Sequence, residues 1–380
     1  MRDTLRLTLL VLLVVSCART VPRSAEDTVR LATFNVQELT SVKLDSVDAR
    51  GRGAHPQLIA AAAVIRAVRP DVLVLNEVDV AQAEGSPDLA RSVRRFQERY
   101  LEVGDEPLRY PDVFVAPVNT GVVTGIDLNR DGVTGTLSDL GTRTYGDDSF
   151  GFGTYPGQYG MAVLSRLPLD TAAARTFRRF LWKDLPENHL PEAFYGDSAV
   201  AILRLSSKSH WDVPVVLDGD GARLHLFVSH PTPPVFDGPE DRNGRRNFDE
   251  IGFWALYVDG SQALYDDRGL RGGHAGGPFV IMGDLNAEPA GGEARLGGTA
   301  AISQLLSHPR VQDPAPHRGR STAEFGGGLR VDYVLPSVDV EVVDGGLWWP
   351  SAEEDAQGAA AADEASDHRL VWLDVRVRGR

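Results

Sequence analysis

The stretch Pro278–Pro289, PFVIMGDLNAEP, decides how the rest of the chain is read. It opens as a continuous apolar run, Phe279-Val280-Ile281-Met282, the pattern of a strand covered on both faces. It breaks at Gly283 and then presents a carboxylate, Asp284, and an amide, Asn286, two residues apart. Two residues is the repeat that keeps side chains on one side of a strand, so both groups are expected at the same rim. A buried strand that ends in polar groups places chemistry at the edge of a sheet.

The same design recurs along the chain. VRLATF (Val29–Phe34) reads as a strand ending at Asn35, and DVLVLNEVD as a buried strand ending at Asn76-Glu77. RLHLFVSHPTPP reads as a strand ending at His230, stopped by prolines. Further strands are expected in YPDVFVAPV, YGMAVLSRLPL, SAVAILRLS (198–206), GGLRVDYVLPS, VDVEVVDGG and HRLVWLDVRV. Helices are expected from Pro56 to the stop at Pro70, over 87–103, and over NFDEIGFWALYVDGSQAL (247–264). Strands interspersed with helices define a layered α/β protein with mixed sheets. At 380 residues, with 42% hydrophobic and 24% charged residues, the chain can bury a large core. Its net charge of -14 lowers the expectation of a nucleic-acid partner without removing it, because a metal ion can supply positive charge.

The chain ends set the expected location. MRDTLRLTLLVLLVVSC carries Arg2 and Arg6 ahead of an apolar run, Leu7–Val15, too short for a bilayer-spanning helix and suited to a signal peptide. Its VVSC ending resembles a bacterial lipobox, so Cys17, the one cysteine, is the expected lipidation site. Residues 18–27 then read as a tether, the protein as lipid-anchored on the outer face of the bacterial membrane, and 28–378 as one domain.

The strand ends together offer carboxylates, amides and two histidines: Asn35, Glu77, His230, Asp284, Asn286, Asp332, Asp367 and His368. Carboxylate oxygens favour hard cations such as Mg²⁺, Mn²⁺ or Ca²⁺. Such a set suits phosphoryl transfer, which needs positioning, positive charge and an activated water. Glu77 can hold the metal, and Asp284 can orient the water or take its proton. Asn35 and Asn286 can donate without adding negative charge. His230 and His368 can donate to the phosphate, one as imidazolium, and Asp332 can fix a histidine tautomer.

LATFNV, PDVLVLNEVD, YGMAVLSRLPL, FVSHPTPP, FVIMGDLNAEP, LRVDYVLPS and ASDHRL occur in one order across 28–378, and in that order they resemble the endonuclease/exonuclease/phosphatase superfamily, the fold of DNase I. The resemblance implies a four-layer α/β/β/α sandwich of two mixed sheets flanked by helices, with the site at one end of the paired sheets. It implies Asn35, Glu77 and Asp367 around the metal, Asp284 at the water with Asn286 beside it, His230 and His368 on the scissile phosphate, and Asp332 supporting His368. RVDYVL stands where the inositol polyphosphate 5-phosphatases carry Trp-Cys-Asp-Arg, which argues against that branch.

The expected activity is hydrolysis of a phosphomonoester or phosphodiester outside the cell, with nucleic acid as a rival substrate and a non-catalytic surface binding protein as a rival of another class. Cleavage of a membrane phospholipid would want an exposed apolar loop, for which Trp348-Trp349 is the candidate. A polar insertion, 119–158, contains DLNRDGVTG, in which Asp127, Asn129, Asp131 and Gly132 match the first half of a calcium loop without its closing Glu. Arg242, Arg245 and Arg246 in DRNGRR are candidates to steer phosphate. Phe150, Phe152, Tyr155 and Tyr159 form either a substrate-facing loop or a packed one. His210 and the other remaining histidines read as structural or surface.

Overall fold

The computed structural model describes residues 20–22, 28–82, 88–104, 106–217, 221–315 and 320–377. The expected signal segment and Cys17 lie outside the described residues. Among the described residues no helix is long and apolar enough to cross a membrane.

The strands in chain order are β1 (Val29–Leu39), β2 (Val72–Val78), β3 (Asp112–Phe114), β4 (Gly160–Ser165), β5 (Arg175–Thr176), β6 (His210–Val216), β7 (Arg223–Ser229), β8 (Phe279–Asp284), a small hairpin β9 (Arg295–Leu296) and β10 (Thr299–Ala300), then β11 (Asp332–Pro336), β12 (Val340–Trp348) and β13 (Leu370–Val377). One mixed sheet has the order β12-β13-β1-β2-β4-β3, the other β11-β8-β7-β6-β5. β1 runs parallel to β2, and β7 parallel to β8; the other pairings are antiparallel.

Residue alternation explains the layering. Val72 and Val74 of β2 join Leu226, Val228, Val280 and Met282 of the other sheet in one apolar cluster between the sheets. Their neighbours Leu73 and Leu75 point the opposite way, into a cluster with the helix Pro56–Val68. Phe227 and Ile281 likewise point outward, against Phe253, Trp254 and Tyr257 of the helix Arg242–Val258. Strands apolar on both faces thus make three cores, and three cores separate four layers: the α/β/β/α sandwich is the observed fold.

Several local expectations are corrected. The segment 198–206 is not a strand: Glu192–Ile202 is helical, kinked at Gly196. The sheet position is filled by β6, whose sequence HWDVPVV carries Pro214 and two polar residues and hides its alternation. The helix over 87–103 is shorter, Arg91–Phe96 running into a wider turn, Gln97–Leu101. β1 continues past Asn35 to Leu39, with Gln37 and Glu38 at positive φ. A helix at Ala352–Ala365, opened by a Ser351/Glu354 capping box, packs beside Pro56–Val68 on the outer face of the first sheet.

His210 is buried between the rings of Phe253 and Trp254. Its Nδ1 accepts from the Ser206 hydroxyl at 2.6 Å and its Nε2 donates to the Glu250 carbonyl at 2.8 Å, so the neutral ring is satisfied. Burial pushes its pKa down to about 4. A histidine depressed on folding contributes stability above its unfolded value of about 6.5, and loses it as pH falls towards 4. Denaturant titrations should show the wild type losing roughly 3 kcal/mol more than His210→Gln between pH 7 and pH 4. Parallel losses in the two proteins would refute this.

Candidate functional site

The polar strand ends converge at one end of the facing sheets. Asp284, the last residue of β8, lies opposite Asp332, the first of β11. Asn35 of β1 pairs with Asn76 of β2. The register of β2 then slips on both sides, and Glu77, at φ 63°, is left without a ladder partner. This bulge turns Glu77 out of the strand and into a cleft. Gly283 answers why the apolar run breaks there. Its φ is 143°, and a Cβ at this position would stand 2.1 Å from the Ser229 carbonyl oxygen. Only glycine lets β8 lie this close to the end of β7, which carries His230.

Asn35 Nδ2 bridges two carboxylates, donating to Glu77 Oε1 and to Asp284 Oδ2, each at 3.1 Å. Asp284 Oδ1 accepts from the Asn286 backbone N–H at 2.9 Å, and the Asp284 N–H donates to Asn76 Oδ1 at 3.2 Å. Asp284 Oδ2 is 3.5 Å from His230 Nε2 and 3.8 Å from His368 Nε2. His368 Nδ1 meets Asp332 Oδ2 at 2.9 Å. Thr322 Oγ1 accepts from the Val331 and Asp332 N–H groups and sets the start of β11, while Phe325 packs 5.3 Å from the His368 ring.

The charges follow from this packing. Burial raises the Asp284 pKa to about 7; Asp332 adds to the rise, and His368 opposes it. Burial alone would lower His368, but Asp332 and Asp284 outweigh it and lift the imidazole to about 10. Burial, Lys208 and His368 push His230 well below its ordinary value. The two histidines are thus pushed in opposite directions, His368 towards the imidazolium and His230 towards the neutral ring. Burial also raises Glu77, with Asp367 adding to the rise.

Glu77 and Asp367 are hard oxygen donors, and Glu77 is a half-buried carboxylate that a cation would relieve; Asn35 turns its Nδ2 to Glu77 and its Oδ1 to the Gln37 N–H. Carboxylates of this kind suit a hard divalent cation. Asp284, Asp332 and His368 bring one ligand atom each within 4.8 Å, a second arrangement able to hold a metal. Asp212, His225 and His274 do so too, at the far end of β7, but are engaged with one another, with Tyr257 and with the Gly277 carbonyl.

Other expectations sort as follows. Asn286 adopts φ 52°, and its amide donates to the Pro231 carbonyl at 3.1 Å, so it ties the Asp284 loop to the segment carrying His230. Arg242 faces a cavity next to the site and pairs with Glu240. Arg245 is spent on the Glu240 carbonyl, and Arg246 takes its place on the cavity wall. Phe152 and Tyr159 face that cavity, whereas Phe150 is buried under Arg204 and Tyr155 bonds Asp79. Trp348 is buried, and Trp349 packs under the Arg369 guanidinium, 4.5 Å from its ring. The Asp127 loop closes on itself: Asp127, Asn129 and Asp131 accept from the N–H groups of Gly132, Asp131 and Val133.

Sequence reasoning missed Lys208 and Glu250. Both are buried, and Glu250 clamps the Ser207 and Thr232 N–H groups at 2.7 and 2.6 Å, fixing two cavity segments. A lone lysine in SSKSH carries no periodic signal that would have found it.

A two-sheet sandwich with an acid–amide–histidine centre at the strand ends defines a class of phosphate-ester hydrolases. The chain belongs to one such family: the profile of the Endonuclease/Exonuclease/phosphatase family matches residues 32–368. The crystal structure of an endonuclease/exonuclease/phosphatase from Beutenbergia cavernae is similar, with 20% identity, 93% of this chain and 72% of that chain covered, and a TM-score of 0.50. A family protein from Leptotrichia buccalis is 13% identical over 92% of this chain and 99% of its own, at TM-score 0.49. The human Nocturnin catalytic domain with bound sulfate anion is 13% identical over 93% and 95%, at TM-score 0.48. No curated protein matches the sequence.

Proposed function

We infer that this chain is a divalent-metal-dependent hydrolase of phosphate esters. One observation carries the reading: a buried carboxylate, Asp284, lies between an amide donor, a neutral histidine and a histidinium held by a second carboxylate. Glu77, Asp367 and Asn35 would hold the ion, which supplies positive charge against the phosphoryl oxygens when bound. Asp284 takes the proton of the attacking water. His368, kept protonated by Asp332, donates to a phosphoryl oxygen as charge develops there. His230 donates from Nε2 as a neutral ring. Asn35 holds Asp284 in place, and Asn286 holds the segment that carries His230.

The test is hydrolysis of p-nitrophenyl phosphate, bis-p-nitrophenyl phosphate and plasmid DNA with Mg²⁺, Mn²⁺ or Ca²⁺, and again with EDTA. Turnover that EDTA abolishes is the expected result. DNA nicking with inert small esters would favour the nuclease, and no turnover on any of the three would sink the reading.

A further inference from the structure

Next to the catalytic groups lies a cavity of about 420 Å³, walled by the insertion on one side and by the segment after His230 on the other. Glu77 and His230 line it, so it opens onto the reaction centre. Two cations on its wall are buried, Lys208 at 5% and Arg246 at 8% exposure. Arg246 is bonded to the carbonyls of Leu205, Phe150 and Arg204. Among the described residues, no carboxylate lies within 4.0 Å of the Lys208 or Arg246 nitrogens. The nearest carboxylates are committed elsewhere: Glu250 to two backbone N–H groups, and Glu77 to Asn35 and the metal position.

A buried charge without a partner is costly, and a fold retains one where a ligand compensates it. Burial lowers the Lys208 pKa, and the field of Glu250, followed by those of Glu77 and Asp284, opposes that in the free protein. A metal at Glu77 would remove the Glu77 share of that compensation and leave Lys208 and Arg246 on the cavity wall with Glu250 as the main opposing charge. The incoming substrate must then bring more negative charge than the ion alone neutralises. A diester linkage brings one charge per phosphate; a monoester group brings two near neutral pH. Phe152 and Phe236, the latter 81% exposed at φ 70°, are aromatic residues of the same wall, suited to an organic group attached to that phosphate.

Resting on the hydrolase reading above, we propose that Lys208, with Arg246 behind it, forms an anion seat that selects a doubly charged phosphate monoester of a compact organic group over the diester linkage of nucleic acid.

The test compares metal-loaded wild type, Lys208→Met and Lys208→Arg on p-nitrophenyl phosphate and bis-p-nitrophenyl phosphate. The wild type should prefer the monoester. Lys208→Met should lower kcat/KM for the monoester about a hundredfold, chiefly through KM, and for the diester at least tenfold less. Lys208→Arg, which keeps the charge, should recover part of the loss. A wild-type preference for the diester, or equal losses on both esters, overturns the proposal.

A second readout needs no turnover. Inorganic phosphate should raise the melting temperature of the metal-loaded wild type and not that of Lys208→Met. If neither ester is hydrolysed but this difference persists, the hydrolase reading fails and the seat stands. Equal stabilisation of both proteins removes the seat. Should Lys208→Met not fold, Lys208→Gln carries the same comparison.

Discussion

Asp284→Asn is expected to lower kcat by about 10³-fold on any ester the wild type turns over, the scale of a lost general base. The amide keeps the size of the carboxylate and can still accept from Asn286, so the site geometry persists. What disappears is the group that takes the proton from water. The same substitution should raise stability at pH 8. The Asp284 pKa is raised in the folded protein, so its charge is a penalty that grows as pH climbs from about 4 to about 7. Replacing it by a neutral group removes that penalty. Lost activity with gained stability distinguishes a catalytic carboxylate from a structural one. Turnover within tenfold of wild type, with the metal bound, would remove Asp284 from the base role. His368→Ala should likewise abolish turnover and leave the fold intact.

Gly283→Ala is expected to destabilise the protein by about 3–5 kcal/mol, because backbone strain and overpacking act at one residue. The φ of 143° lies where side chains are disfavoured, and the added methyl would collide with the Ser229 carbonyl. Neither problem can be relieved by rotating a side chain. Pushing Ser229 away also moves His230, so activity should fall with stability. Gly291→Ala is the control: nothing lies within 4 Å of its added methyl, and a change under about 0.5 kcal/mol is expected. Urea titrations of the three proteins decide this, and equal midpoints for Gly283→Ala and wild type would show that the two strands can part.

The sequence made the architecture legible where both faces of a strand are covered. Val72–Leu75 and Phe279–Met282 read as unbroken apolar runs because each alternate residue enters a different core. It was opaque where that rule fails. β6 lies between β5 and β7 yet carries His210, Asp212 and Pro214, each committed to partners from other segments. The apolar Ala199–Leu205 drew a strand reading, although the kink at Gly196 permits a helical turn there. The helix Ala352–Ala365 left a visible signal, the Ser351/Glu354 box ahead of an alanine-rich run. In the site, Asp284, His368 and Asp332 were legible because polar residues at strand ends repeat one pattern. Lys208 was not, since a lone lysine among serines carries no pattern, and its burial on the cavity wall comes only from three-dimensional packing.

The pairing of β1 with β13, Val29 against Val375, has a consequence for how the protein comes into being. Asn35 sits near one end of the domain and Asp367 and His368 near the other, and Ser366 Oγ donates to the Asn35 carbonyl across that seam at 2.8 Å. The candidate site is thus a seam between segments 331 residues apart in sequence. Closing so long a loop is entropically slow to achieve, and no partial chain can do it. A polypeptide that stops before residue 366 lacks Asp367, His368 and β13, so the candidate site stays incomplete however much of the two sheets has formed.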